Sequence, residues 1–524
     1  MSTAKRRRES ATAKLGVRYA RIVSSVFLAK IVSLILGVVM LVVVARVIGP
    51  SQYGIYTLAL AAAGFLQAFG NVNVGAYFNK VIPQLKAEGK FESTGTLIMD
   101  AILFLSVVSV VMLAAIALLG PLISSHFFGS DIYALYVFIA ALGVIMNFVW
   151  SVLNTTLVGL GNETDVGYST VSGITLQSIT SIALVLLGFG VMGALLGYVV
   201  GAVGSALLTF YYIGRYVKFR LLLSGWISRL RKMLKFLAPL TFSAIISTAI
   251  TNFAVLILGF LMVPSSLIGQ YGVANRVGQI IDVVVGSISV VLIPMFATAI
   301  HNRHETGKIS LLYQKSIYYG LLFTLPIVVY ASVLSYQIIV TIFTSAYSAT
   351  IIYMPLISIG TVISLVAGYA YSLIISYGRV GKIFQIYVIG GIIQIASVIL
   401  LGILFQVIGV IIAYFFIGNI VFSFLYIKEL RGIGVRIDSK PLVRVALANV
   451  ILAAALLPLW LLNVRPLYIM ILGVIEIILL YPIILAKTKI ITKNEFDIFG
   501  RIVSNFPLLA PISNFILGYT KRFM

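Results

Sequence analysis

The chain has 524 residues, 61% of them hydrophobic and 10% charged, where a soluble domain carries about 25% charged residues. Its net charge of +23 is spread over many short basic segments, which points to anionic lipid headgroups rather than to nucleic acid. Cysteine is absent, which excludes disulfides, thiolate metal sites and a cysteine nucleophile.

The N-terminal tail, 1–21, carries Lys5, Arg6, Arg7 and Arg8 and no cleavable signal pattern. Fourteen apolar segments follow, each about the 20 residues that cross a bilayer: 22–46, 53–78, 98–118, 132–159, 167–188, 191–213, 234–262, 268–299, 316–335, 350–376, 383–404, 408–427, 442–463 and 466–486. Apart from Lys30, Arg46, Arg276 and Arg465, all 37 Lys and Arg lie in the tails or at every second loop. Positive charge is retained on the cytoplasmic side. The pattern predicts a multi-pass cell-membrane protein with both termini cytoplasmic. One loop on that side departs from it: after span four come Asn162, Glu163 and Asp165. The linker 214–233 is strongly basic. The tail 487–524 mixes Phe, Ile and Leu with Lys and Arg and reads as short helices on the cytoplasmic interface.

The two larger parts of the chain resemble each other at a spacing near 217 residues. Pro50-Ser51-Gln52-Tyr53-Gly54 before span two is echoed by Pro264-Ser265 and Gln270-Tyr271-Gly272, and Ile82-Pro83 by Ile293-Pro294. Gly161, Gly173 and Gln177 match Gly378, Gly390 and Gln394, and Val191, Gly193 and Tyr198 match Val407, Gly409 and Tyr414. Six spans return the chain to its starting side, so the units share one orientation, a parallel repeat of the kind found in transporters. The expected fold is all-α: two six-helix lobes, 22–213 and 234–428, then two extra helices in 442–486. A duplicated scaffold without transport is the bland alternative.

Span one ends in Ala45-Arg46-Val47-Ile48-Gly49-Pro50-Ser51-Gln52-Tyr53-Gly54-Ile55-Tyr56. This resembles the hallmark of the polysaccharide-export flippases of the multidrug/oligosaccharidyl-lipid/polysaccharide exporter superfamily. Gly161-Asn162-Glu163 and Tyr377-Gly378-Arg379 resemble the family's short cytoplasmic turns. The resemblance runs over roughly residues 15–490. It implies translocation of an oligosaccharide on a polyprenyl or dolichyl phosphate or pyrophosphate from the inner to the outer leaflet by alternating access, with glycan polymerases or transferases as further partners. One departure from the related drug exporters stands out: their first helix offers a carboxylate for a coupling ion, whereas span one here offers Lys30.

An ionisable residue at a span's centre costs about 2.5–3.5 kcal/mol on insertion scales, so it needs a reason. Lys30 lies two turns into span one, with Ser33 and Gly37 on its face. It suits a phosphate oxygen as a point charge, or else it snorkels to the interface. Arg46, at the far end, is an interfacial anchor or a release-side phosphate contact. Gln67 and Asn71 in span two, and Thr241, Thr248 and Asn252 in span seven, meet sugar hydroxyls or make helix-to-helix hydrogen bonds; Asn147 and Asn154 in span four share that ambiguity. Span eight is the most polar. Asn275, Gln279 and Asp282 share one face with Arg276 flanking it. Arg276 suits bidentate binding of pyrophosphate, and Asp282 is expected to hold it when no substrate is bound or to carry a proton. A structural ion pair is the alternative. Glu476, in span fourteen, faces the carrier's tail path or pairs with a neighbour.

No P-loop for ATP is present, no cofactor is implied, and His301 and His304 beside Glu305 make at best a weak metal pattern. The reading is a flippase and not an enzyme. An ion-coupled drug exporter needs an unpaired acid inside the twelve core spans, where Asp282 is the one available. A polytopic sugar polymerase or ligase needs clustered outer acids, which the chain lacks.

Overall fold

The computed structural model describes residues 2–68, 74–222, 224–301 and 306–491. Asn71, His304, Glu305 and nearly all of the C-terminal tail lie outside the described residues. Everything regular among them is helical, and ten helices are long and apolar enough to cross a membrane. Hydrocarbon offers no partner to a backbone N–H or C=O, so a spanning chain bonds them within its own helix. The protein is thus a multi-pass membrane protein.

Three of the ten are broken by residues with positive φ. In α1 (Ser2–Ala68) the break is Gly49 (φ 74°, ψ 171°), followed by Pro50. Between α5 (Glu163–Leu184) and α6 (Gly190–Gly214) it is a π-helical turn with Gly188 at φ 92°. In α12 (Val380–Ile411) it is Gln406 (φ 49°, ψ −126°), ahead of a second π-helical turn, Ile412–Gly418, that leads into α13 (Asn419–Gly432). Glycine takes positive φ without a Cβ penalty; Gln406 takes it against one.

The chain forms two compact units, Met1–Gly269 and Gln270–Met524. The first contains α1, α2 (Val74–Ala87), α3 (Phe91–Phe128), α4 (Ala134–Gly159), α5, α6 and α7 (Trp226–Phe260), with the start of α8 (Ser265–His301). Its core joins Phe78 and Ile82 of α2, Ile98 and Leu105 of α3, Leu153 and Leu157 of α4 and Leu237 of α7. α5 and α6 approach through small residues, as membrane helices do where van der Waals contact and not water expulsion drives packing. A Cβ at Gly201 would overlap Gln177, one at Gly197 would overlap Ser181, and one at Gly143 in α4 would overlap Tyr198. At one end, a Cβ at Gly54 would overlap the Ser265 carbonyl and one at Gly269 the Pro50 carbonyl. The two Pro-Ser segments therefore touch backbone to backbone.

The second unit holds the rest of α8, α9 (Thr306–Val333), α10 (Ser335–Ile342), α11 (Thr350–Ser376), α12, α13, α14 (Lys440–Leu456) and α15 (Pro466–Lys487). Its core is rich in tyrosine: Tyr313, Tyr369 and Tyr426 pack with Phe296, Leu373 and Ile383. A Cβ at Gly418 would overlap Gln394, and Gly360 lies tight against Phe415. The last two helices dock on α9, where Tyr481 Oη donates to the Leu322 carbonyl at 2.8 Å and Tyr330 Oη to that of Met470 at 3.1 Å.

Candidate functional site

Within the first unit, Lys30 is exposed on α1, and a Cβ at Gly37, on the same face, would meet open space. The Ser33 hydroxyl between them is buried without a partner. Arg46 is exposed near the Gly49 break. Gln67 donates Nε2 to the Val144 carbonyl of α4 at 2.9 Å, the helix-to-helix reading of that residue. Asn252 donates Nδ2 to the Thr248 carbonyl one turn back at 2.8 Å, and its side chain packs on Gly64. Thr241 Oγ1 and Asn154 Oδ1 are buried and unpartnered, and Asn147 bonds back to its own helix at Gly143.

In the second unit α8 presents Arg276, Gln279 and Asp282 exposed and Asn275 half-buried. Arg276 donates Nη1 to Gln279 Oε1 at 2.9 Å. Among the described residues no hydrogen bond or ion pair joins Asp282 to Arg276 in this structure. Residues three apart on a helix are neighbours, whereas six apart are about 120° round and 9 Å along. Gln279, on the adjacent turn, is the neighbour that the guanidinium bonds here.

The acidic turn after span four is accounted for locally. Glu163 and Asp165 fall in the first turn of α5, where the helix dipole favours negative charge. Asp165 accepts from Tyr216 Oη at 2.7 Å. That hydrogen bond, reinforced by burial, raises the Tyr216 phenol above its ordinary range. Lys86 Nζ donates to the Leu160 carbonyl at the C-terminal end of α4.

Sequence reasoning missed one group. Asp100, in α3, is 2% exposed and forms a bidentate pair with Arg229 at the start of α7: Nε to Oδ2 at 2.5 Å and Nη2 to Oδ1 at 2.9 Å. Asp282 is therefore not the only acid in the core spans, though Asp100 is neutralised by its partner. An acid just inside the third apolar segment, read beside an arginine-rich linker, was the available signal. A cavity of about 170 Å³ lined by Ile55, Leu58, Phe127, Tyr133, Met262 and Ser265, among others, contains none of the expected site residues. Among the described residues no three His, Cys, Asp or Glu converge on a metal position.

Ten long apolar helices with polar side chains among them define a polytopic membrane protein. The polysaccharide biosynthesis protein family matches residues 20–300, and the chain belongs to that family. A lipid II flippase, MurJ, in an inward closed conformation shares the fold with a TM-score of 0.66 at 17% identity, covering 88% of this chain and 97% of that one. An inward-facing multidrug resistance MATE transporter of the MOP superfamily follows with a TM-score of 0.62 at 16% identity, covering 76% and 94%. A MOP superfamily transporter from Pyrococcus furiosus, described as having a binding pocket of reverse polarity, gives 0.52 at 18% identity, covering 80% and 94%. These structures are of flippases and transporters, not enzymes. No curated protein matches the sequence.

Proposed function

We propose that the chain is a flippase that moves an oligosaccharide linked to a polyprenyl or dolichyl phosphate or pyrophosphate from the inner to the outer leaflet by alternating access. The observation that carries this reading is the sign of the exposed charge within the apolar helices of a polysaccharide biosynthesis family member. Lys30 in one unit and Arg276 in the other are exposed cations, while the buried acid Asp100 is already matched by Arg229. An anionic headgroup leaving water needs cationic partners to offset its desolvation. With no nucleotide motif, the driving force is an ion gradient, the membrane potential or mass action.

Repeated close contacts support a duplicated transporter. Gly143 on Tyr198, Gly201 on Gln177 and Gly193 on Leu184 in the first unit correspond, 216 or 217 positions on, to Gly360 on Phe415, Gly418 on Gln394 and Gly409 on Leu401 in the second. Gly159 faces Ile82, and Ser376 Oγ reaches the Ile293 carbonyl at 3.1 Å. Counting each of the three broken helices as two spans and adding α8 to the ten gives fourteen. The basic loops support a cytoplasmic position for both termini.

The test is transport of a lipid-linked oligosaccharide in vesicles by the Lys30→Ala, Arg276→Ala double variant. Loss of transport with normal insertion is expected. Near-normal transport would refute the cationic headgroup site. A second reading, an ion-coupled drug exporter, draws on Asp282, which accepts no hydrogen bond from a described residue. Its mark is cation export abolished by Asp282→Asn with oligosaccharide transport absent throughout.

A further inference from the structure

Four ion pairs occur among the described residues, and only Asp100–Arg229 has a fully buried carboxylate. The pair is the centre of a clamp. Arg229 also donates to the Ser224 carbonyl at 2.8 Å and to the Leu222 carbonyl at 2.5 Å. The Trp226 indole N–H reaches the Asp100 carbonyl at 3.4 Å. Arg220 pairs with Glu92 at 2.9 Å, and a Cβ at Gly95 would overlap the Lys218 carbonyl. The linker from α6, at Lys218 and Arg220, and the first turn of α7 are thereby fixed to the start of α3.

The rest of α7 is held differently. Gly259 lies beneath Leu58 and the Phe127 carbonyl, and Asn252 packs on Gly64. Asn252 Nδ2 donates within α7 itself, to the Thr248 carbonyl. These close contacts of small residues slide or part without breaking an ion pair, whereas the clamp has to be broken bond by bond. By the repeat, α7 is the counterpart of the first half of α1. That half packs on α5, where Ala29 faces Gly167 and Ser178 Oγ reaches the Leu36 carbonyl at 3.4 Å. Here α7 lies instead along the second half of α1 and along α3. Its covalent tether permits departure: residues 215–225 reach about 35 Å when extended.

We propose that the Asp100–Arg229 pair is a releasable latch, holding the basic end of α7 on α3 in the state described here and opening in the opposite state of the transport cycle. Closed, the pair is bidentate and its carboxylate is buried. Open, Arg229 returns to water or lipid phosphate while Asp100 gains water along the parted helices. The inference rests on the alternating-access reading, not on the identity of the cargo.

The test uses the full chain in lipid nanodiscs, with spin labels on cysteines introduced at the exposed positions Lys90 and Lys232; the parent has no cysteine to interfere. The parent is expected to show a short separation and a minor longer one. Asp100→Asn should raise the ratio of long to short about tenfold, as expected for the loss of one charge-assisted bond. The exchange Asp100→Arg with Arg229→Asp should return it toward the parent. Arg229→Lys and Trp226→Phe, which perturb less, should shift the ratio in the same direction by a smaller factor. A single short separation unmoved by any of these variants in monodisperse protein would show a static brace and overturn the proposal. The distances are read without substrate. A shift that follows the latch variants while Lys30→Ala leaves transport intact would refute the headgroup reading and leave the latch standing.

Discussion

At the scale of single residues, exposure and hydrogen bonding separate candidates that the sequence left level. Gln67 is engaged with the Val144 carbonyl, so it serves packing. Interhelical side-chain bonds in membranes are worth about 0.6 kcal/mol on average. Gln67→Leu should therefore lower thermal stability slightly and leave transport rates near the parent's. Loss of transport at unchanged stability would instead place Gln67 on the sugar. Arg276 is the opposite case. Its guanidinium is exposed and bonded to a neutral amide, Gln279 Oε1, which a phosphate oxygen can displace at little cost. Arg276→Lys keeps the charge but loses the fork. It should reduce headgroup affinity by roughly one order of magnitude, about 1.5 kcal/mol, the lower end for a charge-assisted hydrogen bond. Competition by short-chain polyprenyl phosphates in a transport assay would measure it. Asp282→Asn should not release Arg276, because the two are not paired, so its effect on headgroup affinity should be small. A large gain in affinity would show that the pair forms in another state.

At the scale of helices, what is repeated is close approach. Gly201 and Gly418 sit where any side chain would overlap a glutamine, Gln177 in one unit and Gln394 in the other. Gly201→Leu and Gly418→Leu should each destabilise by about 1–3 kcal/mol, the usual cost of overpacking, and should do so alike. Gly37→Ala and Gly286→Ala, where a Cβ meets open space, should be neutral or slightly stabilising by helix propensity. A thermal-shift series on the purified protein would compare all four. These glycines also show what was legible. Gly173 with Gln177 and Gly390 with Gln394 were visible in the sequence as a matched spacing, because a repeat conserves the register of its contacts. The helix breaks were half visible. Gly49-Pro50 announces a turn through its chemistry, whereas Gln406 at positive φ carries no sequence mark and is imposed by the tight return that lays Gly409 on Leu401. Asp100 and Arg229 are 129 residues apart. No periodicity joins them, so nothing in the sequence marks them as the pair that, among the described residues, holds a buried carboxylate.

At the scale of the molecule, charge and hydropathy carry the topology, because the bilayer is a uniform solvent and its rules act on segments rather than on particular contacts. Apolar runs of about 20 residues must be satisfied internally, and lysine and arginine resist translocation. Those two constraints predict a cytoplasmic position for the loop of Arg220 and an outer one for that of His126. They are separated by three spans, so the sidedness of the two is coupled: an error in one span flips one loop against the other. Both positions are exposed, Arg220 pairing with Glu92 at a mostly solvated site, and the parent chain has no thiol. Arg220→Cys should remain unlabelled by a membrane-impermeant maleimide applied to intact cells and become labelled after permeabilisation, while His126→Cys should react at once from outside. Labelling of position 220 from outside would remove a span from the first unit, leave the two units with opposite orientations, and turn the parallel repeat that underlies the alternating-access reading into an inverted one.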